Sequence, residues 1–167
     1  VAINGTLFYY PKGKLSIKRG LLGLCIVNGK EYSKPKKSYA ALLFVKDPKT
    51  NLYKAHIISN QEEPLPNNTE FAIGGFFTII KDNQIIHRKT PIDSRTACGI
   101  SNNGNTLHIL CVEGEDLVHS PGLTFDQCAK ILLDVGCETA MQLDGGGSTS
   151  LIINGKNALT YWKPRSV

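Results

Sequence analysis

TFDQCAKILLDVGCETAMQLDGGGSTS, residues 124–150, decides how this chain folds and where its chemistry lies. Thr124 and Gln127 have the spacing of a capping box, in which each side chain satisfies a backbone donor of the other residue. Leu123 stands where a hydrophobic staple would hold the helix entry. Phe125, Cys128, Ala129, Leu132 and Leu133 then recur at helical period as one apolar stripe, with Lys130 and Asp134 on the wet side. Gly136 suits the left-handed residue that ends a helix. Beyond it, Thr139 to Leu143 reads as a strand running into Asp144, the triplet Gly145-Gly146-Gly147 and the hydroxyls of Ser148 and Thr149. Ser148 to Ile153 reads as a further strand, closed by the turn Asn154-Gly155.

A carboxylate at the end of a buried strand, followed at once by glycines, is a site composition. Glycine removes side chains, so backbone amides can approach a ligand, and an anionic group can rest against them. Gly-Ser strings are also ordinary linkers. Here apolar strands flank the string closely on both sides, which leaves little room for one.

At 167 residues the chain is read as a single domain with a proper core. Its 41% hydrophobic and 20% charged residues are those of a globular protein, and no apolar run reaches membrane-spanning length. The chain opens on strand-like Val1-Ala2-Ile3 without a methionine, so an upstream segment is expected to be missing from this numbering. Net charge is +5, much of it in Lys12 to Arg19 and Lys30 to Lys37. Without aromatic interleaving or a nucleic-acid motif, these lysines read as solvated loops, not as a nucleic-acid surface. The five cysteines are odd in number and lack a C-x-x-C pair, which argues against a disulfide scaffold or a zinc site and favours a reducing compartment.

Strand patterns dominate the first two thirds of the chain: Val1 to Tyr10, Leu22 to Asn28, Tyr39 to Lys46, Tyr53 to Ser59, Glu70 to Ile80 and Thr106 to Val112. Turn residues separate them, among them Asn28-Gly29, Asp47-Pro48 and Asn102-Asn103-Gly104. Only the stretch from Thr124 reads as a helix. The expected class is α+β: a mostly antiparallel mixed sheet with one principal helix packed on it.

Several short strings along the chain, in order, resemble the phosphodiester glycosidase family, whose domain occurs in the lysosomal mannose-6-phosphate uncovering enzyme and in bacterial and phage proteins. Ala2 to Phe8 resembles its opening strand, Asn28-Gly29 an early turn, and Phe71 to Gly75 its central glycine strand. Arg95-Thr96-Ala97-Cys98-Gly99 is similar to its R-t-a-x-G, and Cys111 to Gly114 to its v-d-G, with Glu113 where aspartate is commoner. Gly122-Leu123-Thr124, the helix, Ala140 and LDGGGS form the strongest correspondence, and Arg165-Ser166-Val167 resembles the closing R-x-V.

The resemblance implies hydrolysis of a sugar-1-phosphodiester; nothing in the residues themselves calls for a cofactor or a metal. Such cleavage passes through an oxocarbenium-like state that two carboxyl groups normally assist. Asp144 is the expected first carboxylate and Glu113 its partner, with their division of labour open. Arg95 is expected to hold the departing phosphate by its bidentate fork. Expected substrate contacts are Asn4, Gly75, Thr96, Gly145, Gly146, Gly147, Ser148, Thr149 and Arg165. Each has a plainer reading. Arg95 can be a surface partner of Asp93, Asp144 can cap its own glycine turn, and Glu113 can be an exposed acid beside Glu115 and Asp116. Asn4 either ties backbone or binds sugar hydroxyls, and Gly74-Gly75 marks a bulge or a close approach. A glycosyl-phosphate or other carbohydrate is the expected partner. The alternative is a non-catalytic glycan-binding or structural domain within a larger assembly.

Overall fold

Strand alternation builds this molecule in layers, as a computed structural model describing residues 1–9, 20–114 and 116–160 shows. Two five-stranded sheets carry the core. One orders its strands Gln84–Ile85, Thr78–Lys81, Thr139–Gln142, Arg95–Ser101 and Thr106–Val112. The other orders Lys30–Ser33, Cys25–Val27, Thr69–Gly74, Ala41–Lys46 and Tyr53–Ile58. Ladders within both are antiparallel. Smaller ladders join Ala2–Ile3 to Leu151–Ile153 and Leu7–Tyr9 to Gly20–Leu22.

Successive strand residues face opposite sides, and the core divides accordingly. Ala97 and Ala140 meet the helix, while Cys98 and Met141, one position on, meet Leu42 and Ala55 of the second sheet. Ala41, Leu43 and Ala72 line the far side of that second sheet, with Leu24 and Ile26. Buried Gln61 closes this far side: its Oε1 accepts from the Leu24 and Lys36 amides, and its Nε2 donates to the Ala40 carbonyl.

The helix, Phe125–Asp134, forms where its stripe required. The Thr124 amide donates to Gln127 Oε1 at 2.8 Å, and the Gln127 amide to Thr124 Oγ1 at 3.2 Å. Phe125, Cys128, Ala129 and Leu132 are buried against the sheet. Each large side chain among them contributes on the order of 1.5–3 kcal/mol. Gly136 has φ 87°, the left-handed ending. Among the described residues no helix is long and apolar enough to cross a membrane.

The expected class holds, but the single mixed sheet does not. Every ladder among the described residues is antiparallel, and the strands divide between several sheets. Two breaks cause the division. The strand expected over Glu70 to Ile80 parts at Gly74-Gly75, where the chain crosses from one five-stranded sheet to the other. The strand expected from Val1 parts around Asn4-Gly5, its halves joining different ladders. Lys30, Lys34, Lys36 and Lys37 are exposed, whereas Lys12 to Arg19 lie outside the described residues.

Gly75 allows the crossing. A Cβ there would stand 2.3 Å from the Gln142 carbonyl oxygen, to which the neighbouring Phe76 amide donates at 2.8 Å. Backbone cannot yield as a flexible side chain can, so Gly75→Ala is expected to cost about 1–3 kcal/mol. Equilibrium denaturation of the variant measures it as a lowered midpoint.

Candidate active site

Register brings the key side chains together. Ala97 stands opposite Gln142 and Cys98 opposite Met141. The alignment continues past the ladder, since the Leu143 amide donates to the Thr96 carbonyl at 2.8 Å. Arg95 therefore comes level with Asp144. Residues two apart on a strand share a face, so Arg95 and Asp144 lie on the helix side with Ala97, Ala140 and Gln142. There they line one cavity of about 190 Å³ with Phe76, Asp93, Phe125, Gln142, Leu143, Gly145 and Gly146.

Arg95 is only 8% exposed. Its Nε donates to the Leu123 carbonyl at 2.9 Å, Nη2 donates to the Pro91 carbonyl, and the guanidinium lies 4.6 Å from the Phe125 ring centroid. Burial pulls its pKa down from the ordinary value, with the nearby Asp93 charge and Cys128 opposing. An arginine nevertheless stays protonated in proteins. Among the described residues no carboxylate lies within salt-bridge distance of it. The site thus holds a fixed, buried cation without a contact counter-ion among the described residues, and a buried charge of this kind calls for one.

Asp144 is equally buried, at 8% exposure. Its Oδ1 accepts from the Gly145 amide at 3.1 Å, the turn-capping contact, while the residue also lines the cavity. Most amides of this loop are spent inside the protein, that of Gly145 on Asp144 Oδ1 among them. Gly146 donates to the Ser94 carbonyl at 2.9 Å, Ser148 to Gly145 and Thr149 to Gly146. The triplet serves approach instead: a Cβ on Gly145 would sit 3.0 Å from the Ser94 carbonyl oxygen, and Gly146 takes φ 56°. Glycines let the loop lie against the start of the Arg95 strand.

Other expected contacts lie elsewhere. Thr96 is fully buried and follows Arg95 on the strand, so it faces the opposite side. Its hydroxyl donates to Asn4 Oδ1 at 2.7 Å. That Asn4 oxygen also accepts from the Ser150 amide at 3.1 Å, and Asn4 Nδ2 donates to the Asp144 carbonyl at 2.7 Å. Asn4 is therefore a tether for the Asp144 loop and does not line the cavity. Gly75 meets protein backbone, not open space. Gly147 and Ser148 belong to the short 3-10 turn Gly146–Ser148, off the cavity. Thr149 is buried, and its hydroxyl has no partner among the described residues. Glu113 accepts from the Thr160 amide through Oε1 and is likewise absent from the cavity wall. Arg165 lies outside the described residues.

Five wall residues carry no site reading in the sequence: Phe76, Asp93, Phe125, Gln142 and Leu143. Gln142 is 1% exposed, and its Nε2 has no hydrogen-bond partner among the described residues. A glutamine inside the apolar run Ala140 to Leu143, two before Asp144, was the available signal. Asp93 is two before Arg95 and was read only as its ion-pair partner. Phe125 carried the helix stripe and so masked its second role. Among the described residues, no three His, Cys, Asp or Glu side chains gather to hold a metal.

The phosphodiester glycosidase family model matches residues 1–167, the whole chain. The chain belongs to the phosphodiester glycosidase family. Among solved structures it is similar to the zebrafish N-acetylglucosamine-1-phosphodiester alpha-N-acetylglucosaminidase catalytic domain, auto-inhibited by its pro-peptide. That likeness has a TM-score of 0.72 and 22% identity over 99% of this chain, which spans 60% of the zebrafish chain's length. A hypothetical protein from Synechocystis is also similar, with a TM-score of 0.59 and 12% identity over 93% of this chain and 48% of that one. At these identities the likeness is one of fold. No curated protein sequence matches the chain.

In this phosphodiester glycosidase domain the cavity combines a desolvated cation and a buried carboxylate, both on strand ends that the sheet holds rigid. It can bind an anion and face a carboxylate to the atom beside it. The Asn4 tether underlies that rigidity. Asn4→Ala deprives Thr96 Oγ1, the Ser150 amide and the Asp144 carbonyl of one partner, and the expected loss is about 1–3 kcal/mol. A urea midpoint that falls at constant slope would register it.

Proposed function

We propose that this domain hydrolyses the bond between the anomeric carbon of a sugar and a phosphodiester, releasing free sugar and a phosphomonoester. One observation supports this above all. The buried Arg95 guanidinium lacks a carboxylate at contact distance among the described residues and shares its cavity with Asp144. A phosphodiester supplies the missing anion, and its anomeric carbon supplies the electrophile for a carboxylate to face.

The chemistry suits that division. The leaving monoester has a second pKa of about 6, so it departs readily without strong proton donation. It does gain negative charge as it leaves. A fixed guanidinium in a water-poor site stabilises that charge more in the transition state than in the ground state. Asp144 faces the positive charge that develops on the sugar ring. At about 190 Å³ the cavity is smaller than the usual ligand pocket of about 300–1,000 Å³. It accommodates the reacting end of the substrate, with the remainder lying over the rim.

The test is a panel of sugar-1-phosphodiesters against aryl glycosides lacking phosphate. Turnover of the former alone is expected. Asp144→Asn and Arg95→Lys should each lower kcat by roughly 10²–10³, the scale of losing one electrostatic stabiliser. Lysine keeps the charge but cannot reproduce the fork held by the Leu123 and Pro91 carbonyls. Turnover of aryl glycosides with both variants fully active would refute the proposal.

A further inference from the structure

We propose that Asp93, rather than Glu113, is the second carboxyl group of this site. It is the general base that takes a proton from the water replacing phosphate at the anomeric carbon. The inference rests on the glycosyl phosphodiester reading above. Glycosyl hydrolysis ordinarily employs two carboxyl groups about the anomeric carbon. The cavity wall holds two, Asp93 and Asp144.

Asp93 is held firmly on the cavity wall. Its amide donates to the Leu123 carbonyl at 3.2 Å, and its carbonyl accepts from the Leu123 amide at 3.0 Å. Gly122, at φ 98°, packs so closely that an added Cβ would stand 2.2 Å from the Asp93 carbonyl oxygen. The turn that enters the helix is thus clamped onto this residue. On the carboxylate, Oδ1 accepts from the Ser94 amide at 2.8 Å. This fixes the rotamer and leaves Oδ2 for a ligand or water. The Arg95 charge acts on Asp93 through space, yet the two make no salt bridge. Glu113 differs in its place in the fold. It follows the strand Thr106–Val112, its carboxylate is engaged by the Thr160 amide, and it is absent from the cavity wall.

The step balances as follows. A water oxygen donates a lone pair to form the new bond at the anomeric carbon. The bond from that carbon to the phosphate oxygen breaks, and its electron pair leaves with the phosphomonoester, held by Arg95. One water proton passes to Asp93 Oδ2 and later to solvent. Asp144 faces the positive charge on the ring throughout.

Asp93→Asn keeps an oxygen to accept the Ser94 amide, so the fold is expected to persist, as a thermal melt will show. With a glycosyl phosphodiester as substrate, this variant should lose roughly 10²–10⁴ in kcat, the range for removing a general base. The acid limb of its pH–rate profile should flatten. Azide, a nucleophile that needs no deprotonation, should restore turnover and yield the glycosyl azide. Glu113→Gln should retain activity within a few fold. An active wild-type protein whose Asp93→Asn variant keeps its kcat and pH profile would overturn the Asp93 assignment alone. So would a loss that azide fails to restore, or a comparable loss in Glu113→Gln. A wild-type protein inactive on every glycosyl phosphodiester would instead overturn the functional reading and this inference together.

Discussion

The antiparallel pairing of Arg95–Ser101 with Thr139–Gln142 is the constraint on which the rest of the molecule depends. One register decides that Arg95 comes level with Asp144. It also decides that both fall on the helix side, with Gln142 and Asp93 beside them. A slip of one residue would turn every one of these side chains to the other face of the sheet. The register is secured from both faces at once. Ala97 and Ala140 meet the helix while Cys98 and Met141 meet the second sheet, so a slip of one residue would fail both cores.

Glycine and asparagine then hold the site to this frame. Gly145 and Gly146 let the Asp144 loop lie against the Ser94 carbonyl, and Gly75 lets the crossing segment lie against Gln142. Asn4 draws the first strand, Thr96, Ser150 and the Asp144 backbone into one hydrogen-bonded knot on the opposite side of the sheet. Each polar atom in that knot is satisfied by the protein. Arg95 differs: two of its nitrogens meet carbonyls, but its charge meets no contact carboxylate among the described residues. Satisfied groups read as scaffold, and the unsatisfied charge reads as the place for a ligand.

The thiols lie outside this chemistry for a related reason. Burial pushes Cys98 up to about 12 and Cys137 up to about 11, far from the thiolate a nucleophile requires. Burial also raises Cys128 behind Arg95, although Gln142 and the Arg95 charge pull against it. These cysteines pack as small apolar groups.

Local signals were enough for whatever depends on neighbours in the chain. The capping box, the apolar stripe and Gly136 determined the helix, because each acts over one or two turns. The string around Asp144 marked a structured loop, since apolar strands flank it closely on both sides. Which sheet a strand joins was not legible, because Gly74-Gly75 and Asn4-Gly5 read equally as bulges and as crossings until their partners are in place. Neither was the difference in place between two candidate carboxylates. Glu113 and Asp93 are both acids at strand ends, each accepting one backbone amide, and what separates them is that Asp93 lines the cavity and Glu113 does not. Residue types and spacing determined the helix and, through the resemblance they carry, the phosphodiester glycosidase family. Tertiary structure alone decided which side chains share a cavity, because that depends on register across strands far apart in the sequence.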